Sequence, residues 1–187
     1  WSEKNQGGGI LSALGSHYID YLYQIFDDIK GVSGKTSIHI KKRLNKQTGK
    51  MGSVTADDAF QCQFDVGNEI LCSMKISSTS PFGKGSRIEA YGSEGSLILL
   101  ENNQIIGGKI GEDKELKHIP TLNKFLMPRT NGEHYLIPAF TSLLSDFAHG
   151  VARGSSPHPN FKDGLKIQKC MKAIRDSHEK KKWIYMK

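Results

Sequence analysis

Alternation with a period of two across residues 60–76 constrains the fold of this chain more than any other feature. Phe60, Cys62, Phe64 and Val66 are apolar with polar residues between them, and after a short break Ile70, Cys72, Met74 and Ile76 repeat the pattern. Successive strand side chains point to opposite faces, so this stretch reads as a hairpin with one buried face. A two-residue loop at Gly67-Asn68 would set Cys72 opposite Gln63 and Met74 opposite Gln61, mixing the faces. A three-residue loop, Gly67-Asn68-Glu69, pairs Phe64 with Cys72 and Cys62 with Met74, keeps one face apolar, and is the expected connection.

Further strand patterns cover 32–40, 87–91, 97–100, 104–106 and 117–119, with turn chemistry at Gly92-Ser93-Glu94-Gly95 and Glu101-Asn102-Asn103. Between residues 58 and 106 no gap can hold the crossover helix that parallel strands require, so the sheet is expected to be mostly antiparallel. Helical patterns flank these strands. After Gly7-Gly8-Gly9, the apolar residues Ile10, Leu14, Tyr18, Leu22 and Phe26 recur every four positions and predict a helix buried along one side. A second helix is expected over 135–153, with Pro138 in its opening turn, Phe140, Leu143, Leu144, Phe147 and Val151 on one side, and Gly154 as its stop. A third starts near Phe161-Lys162-Asp163, runs through Leu165, Ile167, Met171 and Ile174, and precedes a short Trp183-Ile184-Tyr185 strand. The class is therefore α+β: an open, mostly antiparallel β-sheet with helices packed on one face. Residues 120–134 carry the least pattern and are expected to form an irregular loop.

A chain of 187 residues, 37% hydrophobic and 24% charged, can bury one good core, so residues 1–187 are expected to form a single domain. It begins at Trp1 and has no initiator methionine, as a piece of something longer would. No apolar run is long enough to span a membrane and no leader pattern is visible, which makes a cytoplasmic location the expectation and argues against a membrane partner. Cys62, Cys72 and Cys170 lie inside apolar patterns without metal-ligand spacing and read as reduced core residues, with no metal expected. The net charge of +7 is spread along the chain. Its two clusters, Lys41-Lys42-Arg43 and Lys180-Lys181-Lys182, sit in no nucleic-acid-binding motif, so no nucleic-acid partner is expected.

Gly7-x-Gly9-x-x-Ser12 approaches the dinucleotide fingerprint, but no strand precedes it and its third glycine is missing, so it is not a Rossmann turn. Gly83-Lys84 fails as a P-loop because Ser78 stands where the leading glycine belongs. His17 lies off the apolar stripe and shares a helix flank with Ala13 and Asp20. Such a histidine could exchange protons with a bound substrate while Asp20 fixes its tautomer; the plainer alternative is a structural histidine near a helix start. Asp57-Asp58 reads as a pair that shapes the turn before the Phe60 strand.

The glycine-led helix with Gly15-Ser16-His17-Tyr18-Ile19-Asp20, then Thr55-Ala56-Asp57-Asp58, then 87–97 (Arg-Ile-Glu-Ala-Tyr-Gly-Ser-Glu-Gly-Ser-Leu), the Phe140 helix, Asp163-Gly164-Leu165 and Ser177 form an ordered set. In that order the chain resembles the C-terminal domain of the Gfo/Idh/MocA dehydrogenases (glucose-fructose oxidoreductase, inositol dehydrogenase and rhizopine catabolism) over nearly its whole length. The resemblance implies an N-terminal Rossmann domain, absent from this chain, that binds most of an NAD or NADP cofactor. It implies hydride transfer on a sugar-like or polyol substrate, a homo-oligomer formed through the open sheet face, and His17 as the family's catalytic histidine. Ser12, Ser16, Tyr18 and Asp20 become candidates for substrate contact, and Gly8 and Gly9 for close approach to the cofactor.

Two departures stand out. Ala13 replaces the aspartate that many such dehydrogenases carry four residues before the histidine, and the family's Glu-Lys-Pro lysine motif is missing, since Glu3-Lys4-Asn5 departs from it. The chain alone is therefore expected not to catalyse hydride transfer. The alternative expectation is a non-catalytic binding or dimerisation module that kept the dehydrogenase fold.

Overall fold

The computed structural model describes residues 3–26, 28–46, 48–122, 132–134 and 136–186. In chain order these form a π-helical segment Leu11–Gly15 running into α1 (Ser16–Phe26), then β1 (Gly31–Ser37), β2 (Lys42–Leu44), β3 (Met51–Ser53), β4 (Ala59–Asp65) and β5 (Leu71–Ser77). There follow β6 (Arg87–Gly92), β7 (Gly95–Leu100), β8 (Ile105–Lys109), β9 (Lys117–Ile119), α2 (Ile137–Arg153), α3 (Phe161–Lys180) and β10 (Ile184–Tyr185). They fall into two compact units, Trp1–Pro81 with His158–Lys187, and Phe82–Pro157. Tyr135 and most of the expected 120–134 loop lie outside the described residues.

The first unit is built on a sheet ordered β10-β1-β4-β5. Every pairing in it is antiparallel, and Phe64 pairs with Cys72 and Cys62 with Met74, the register the three-residue loop predicts. That loop turns through Asn68 and Glu69, both left-handed (φ 53 and 56), with the Ile70 N–H donating to the Gly67 carbonyl at 3.2 Å. Val32, Phe60, Cys62 and Phe64 bury their side chains on one face, against Leu11 and Ile19 of the N-terminal helix and Cys170, Met171 and Ile174 of α3. Transfer of each such side chain out of water favours folding by about 1.5–3 kcal/mol. Buried Ser177 ties the layers together: its hydroxyl accepts the Gly34 N–H of β1 at 2.9 Å and donates to the Lys182 carbonyl at 2.7 Å. The outer face is mostly polar, with Lys35, Gln61 and Lys75 abreast and Ser33, Gln63 and Ser73 beside them, and its next row ends in exposed Tyr185 and Leu71. A short β2–β3 ladder, which the sequence patterns did not reveal, sits on the β1–β4 connection.

α3 begins as expected. The Asn160 side chain accepts the Lys162 N–H at 2.8 Å, and the Asp163 carboxylate accepts the Asn160 N–H at 2.7 Å, a reciprocal cap.

The burial of the N-terminal helix differs from expectation at one position. Leu14, placed in the buried stripe by its spacing, is 40% exposed, whereas Leu11, Gly15 and Ile19 are buried. A glycine has no side chain to register in a hydrophobic pattern, yet Gly15 is where this helix meets β4. A Cβ built on it would lie 2.8 Å from Phe60 Cζ.

The second unit holds an antiparallel meander, β6-β7-β8-β9, in which Ile88, Leu99, Ile105 and Ile119 stand in one row. α2 has its proline in the first turn and ends at left-handed Gly154 (φ 63), as the sequence predicts. Its apolar stripe is exposed throughout the described structure, Phe147 to 62%. Among the described residues no helix is long and apolar enough to cross a membrane.

Candidate functional site

The N-terminal helix is fixed at its start by Asp57, immediately before β4. The Asp57 carbonyl accepts the Ile10 N–H at 2.8 Å and its Oδ2 accepts the Leu11 N–H at 2.8 Å, satisfying donors that a helix start leaves orphaned. Gly9 (φ +112) faces that carboxylate, and any Cβ at this position would collide with it. The Gly7 and Gly8 N–H groups donate to the carbonyls of Lys4 and Glu3 at 3.1 and 3.0 Å. The amides of Gly7, Gly8, Ile10 and Leu11 are thus engaged inside the chain.

From this anchored start the candidate residues diverge. His17 and Ala13 are both exposed, and Tyr18 is half-buried. Asp20 does not hydrogen-bond to His17. Its Oδ1 is buried without a hydrogen-bond partner, and the residue lines a recess of about 220 Å³ with Tyr23, His158, Asp163 and Lys166. There Lys166 Nζ lies 5.7 Å from the centre of the Tyr23 ring, and His158 Nδ1 lies 2.8 Å from Asp163 Oδ2. Burial, then the neighbouring Cys170 and Asp28, pushes the Tyr23 hydroxyl pKa up. Asp163 is held below the usual carboxylate range by the Asn160 amide and His158, which outweigh its desolvation.

Ser12 and Ser16 belong elsewhere. They line a separate recess of about 460 Å³ with Lys4, Gln168, Met171 and Arg175. Arg175 Nη2 donates to Ser12 Oγ at 2.7 Å, and Ser16 Oγ donates to the Ser12 carbonyl at 2.8 Å. The structure thus brings Ser12 and Ser16 together and separates both from the exposed flank of His17.

Arg175 and the hold of Asp57 on the helix start are what the sequence did not disclose in this region. Arg175 lies 163 residues from Ser12 and has no local signal. The cysteines are free thiols, Cys62 and Cys170 buried and Cys72 half-buried. Burial pushes the Cys170 thiol up to about 12, which suits packing and not nucleophilic chemistry. Among the described residues no group of His, Cys, Asp and Glu side chains is arranged to hold a metal ion.

Comparison with known proteins gives these features a setting. The family model described as "oxidoreductase family, C-terminal alpha/beta domain" matches residues 1–186. An uncharacterized oxidoreductase from Synechocystis sp. is 25% identical over 193 residues, covering 98% of this chain and 51% of its own length. The chain therefore spans about half the length of that curated relative. Among solved structures, levoglucosan dehydrogenase in complex with NADH and L-sorbose superposes with a TM-score of 0.81 at 21% identity, over 97% of this chain and 51% of that one. An oxidoreductase domain protein from Kribbella flavida gives a TM-score of 0.79 at 27% identity, over 97% and 51% of the two chains.

Proposed function

Because the chain belongs to the Gfo/Idh/MocA oxidoreductase family through its C-terminal alpha/beta domain, we propose that it forms the substrate-side and oligomerisation part of an NAD(P)-dependent oxidoreductase acting on sugar-like or polyol alcohols and carbonyls. The observation that carries this proposal is an exposed His17 on a helix whose start is held by Asp57 and seated on Phe60 through Gly15. An imidazole accepts and returns protons near neutral pH, and a rigid support keeps it in place for the transfer. In this role His17 takes the proton of the substrate hydroxyl on oxidation and returns it on reduction. Tyr18 stands beside it as a candidate substrate contact.

The cofactor in this proposal is NAD or NADP, held mainly by an N-terminal Rossmann domain, with Gly8 and Gly9 approaching it closely. Association of copies would use the second unit's sheet, where Leu97 and Ile119 on one face are 52% and 38% exposed, in preference to the polar outer face of the first.

The test is to express the complete coding sequence and follow nicotinamide reduction against a panel of polyols. His17→Ala should lower kcat/KM by about 10²–10⁴-fold, the usual worth of a general acid–base group. Unchanged turnover would remove His17 from the chemistry. Ala13 and the absence of an Asp20–His17 bond favour a second possibility, a binding or dimerisation module without chemistry. A cofactor-competent protein with no turnover on any polyol, yet dimeric in sedimentation, would select it.

A further inference from the structure

We propose that the recess between the start of the N-terminal helix and α3 binds a small polyhydroxy monocarboxylate, with Arg175 pairing its carboxylate. The proposal goes beyond the oxidoreductase function, since such binding needs no cofactor and His17 does not line this space.

Lys172 and Lys180 of α3 both pair with Asp176, and Lys4 Nζ lies 3.6 Å from Glu179 Oε1. Arg175, half-buried between them, has no carboxylate partner among the described residues, and its hydrogen bond goes to the neutral hydroxyl of Ser12. Of the two cations that line the recess of about 460 Å³, Lys4 is paired with Glu179 and Arg175 is not, so one unpaired positive charge faces it. A monoanion balances Arg175 within this lining, whereas a phosphate dianion would leave a surplus negative charge there. The guanidinium fork also matches the two oxygens of a carboxylate.

The remaining lining sets the rest of the ligand. Ser12 Oγ accepts from Arg175 and keeps its own proton to donate, while Ser16 Oγ donates to the Ser12 carbonyl and keeps its lone pairs. Gln168 adds an amide that both donates and accepts. Mixed donors and acceptors of this kind suit hydroxyl groups, which also do both. The volume far exceeds that of a carboxylate alone, so the anion should carry a hydroxylated chain.

Isothermal titration of the full chain without nucleotide, at constant ionic strength, tests this with sodium D-gluconate, D-glucitol and inorganic phosphate. Gluconate should bind saturably, with glucitol and phosphate at least about tenfold weaker, and Arg175→Gln should weaken gluconate by about tenfold or more, as expected for a charge-assisted hydrogen bond. Should that variant not fold, the Arg175 Nε–Hε resonance of the unaltered protein carries the test: gluconate should shift it to saturation and glucitol should not. Equal binding of gluconate and glucitol, tighter binding of phosphate, undiminished affinity in folded Arg175→Gln, or an unmoved resonance would each overturn the proposal. None of these outcomes depends on whether His17→Ala changes turnover.

Discussion

Asp58 is a buried carboxylate on which three chain segments converge. Its oxygens accept the His39 N–H at 2.8 and 3.0 Å and the Ile40 N–H at 2.8 Å, and the His39 ring Nδ1 lies 3.0 Å from Oδ1. Its carbonyl accepts the Ser78 N–H at 2.9 Å. Burial alone would raise its pKa, but the two amides and the His39 ring together outweigh that and hold it below the usual carboxylate range. A carboxylate depressed in the folded state contributes stability that is fully present above its unfolded pKa and disappears as pH falls through the folded value. Asp58→Asn should therefore cost about 2–4 kcal/mol at pH 7, with donors left facing a poorer acceptor. The deficit should shrink as pH falls below about 4, where the unfolded chain takes up the proton first and the native carboxylate follows only at lower pH. Urea denaturation at pH 7 and pH 3 measures this, and an equal deficit at both would mean that charge is not the source. The sequence located the Asp57-Asp58 pair at the right turn. It could not show that Asp58 anchors amides 19 and 18 residues upstream, because such bonds follow from the path of the β1–β4 connection and from no local spacing.

Elements were legible where side-chain period and burial coincide. The β4–β5 register could be read because a one-residue slip would turn Cys62 and Phe64 to solvent, a cost too large for any loop preference to offset. The N-terminal helix was legible in place and direction. Its rotation was not, because the π-helical segment alters the angle per residue and the contact at Gly15 is made by a missing side chain. The hairpin loop also carries a local cost. Glu69 sits left-handed at φ 56, a region that penalises a Cβ by roughly 1–2 kcal/mol. Glu69→Gly removes that penalty but loosens the unfolded chain, so a net gain of about 0.5–1 kcal/mol is expected. Thermal unfolding of the variant reads it directly, and a lower Tm would show that the Glu69 side chain contributes more than its backbone costs.

At the scale of the whole molecule, α2 and α3 present nearly the same sequence argument and different structural outcomes. Both carry apolar residues at helical spacing, yet Ile174 of α3 is fully buried against β1 and β4 while Phe147 of α2 is 62% exposed. Period reports that a helix has an apolar side; it cannot report what lies opposite that side. α3 meets its sheet through Gly34, Ser177 and a returning β10, contacts that no window of sequence around Ile174 contains. The same difference fixes what each residue is worth. Ile174→Ala should cost about 2–5 kcal/mol, because it removes buried methyl groups and leaves a cavity that β1 and β4 cannot collapse to fill. Phe147→Ala, although it deletes a larger side chain, should change the stability of this chain by about 0.5 kcal/mol or less, since its ring gains little shelter on folding. Parallel urea titrations decide the matter. A cost for Phe147→Ala matching that of Ile174→Ala would mean that the α2 stripe is covered when this chain folds. A small cost would leave the α2 stripe outside the buried core.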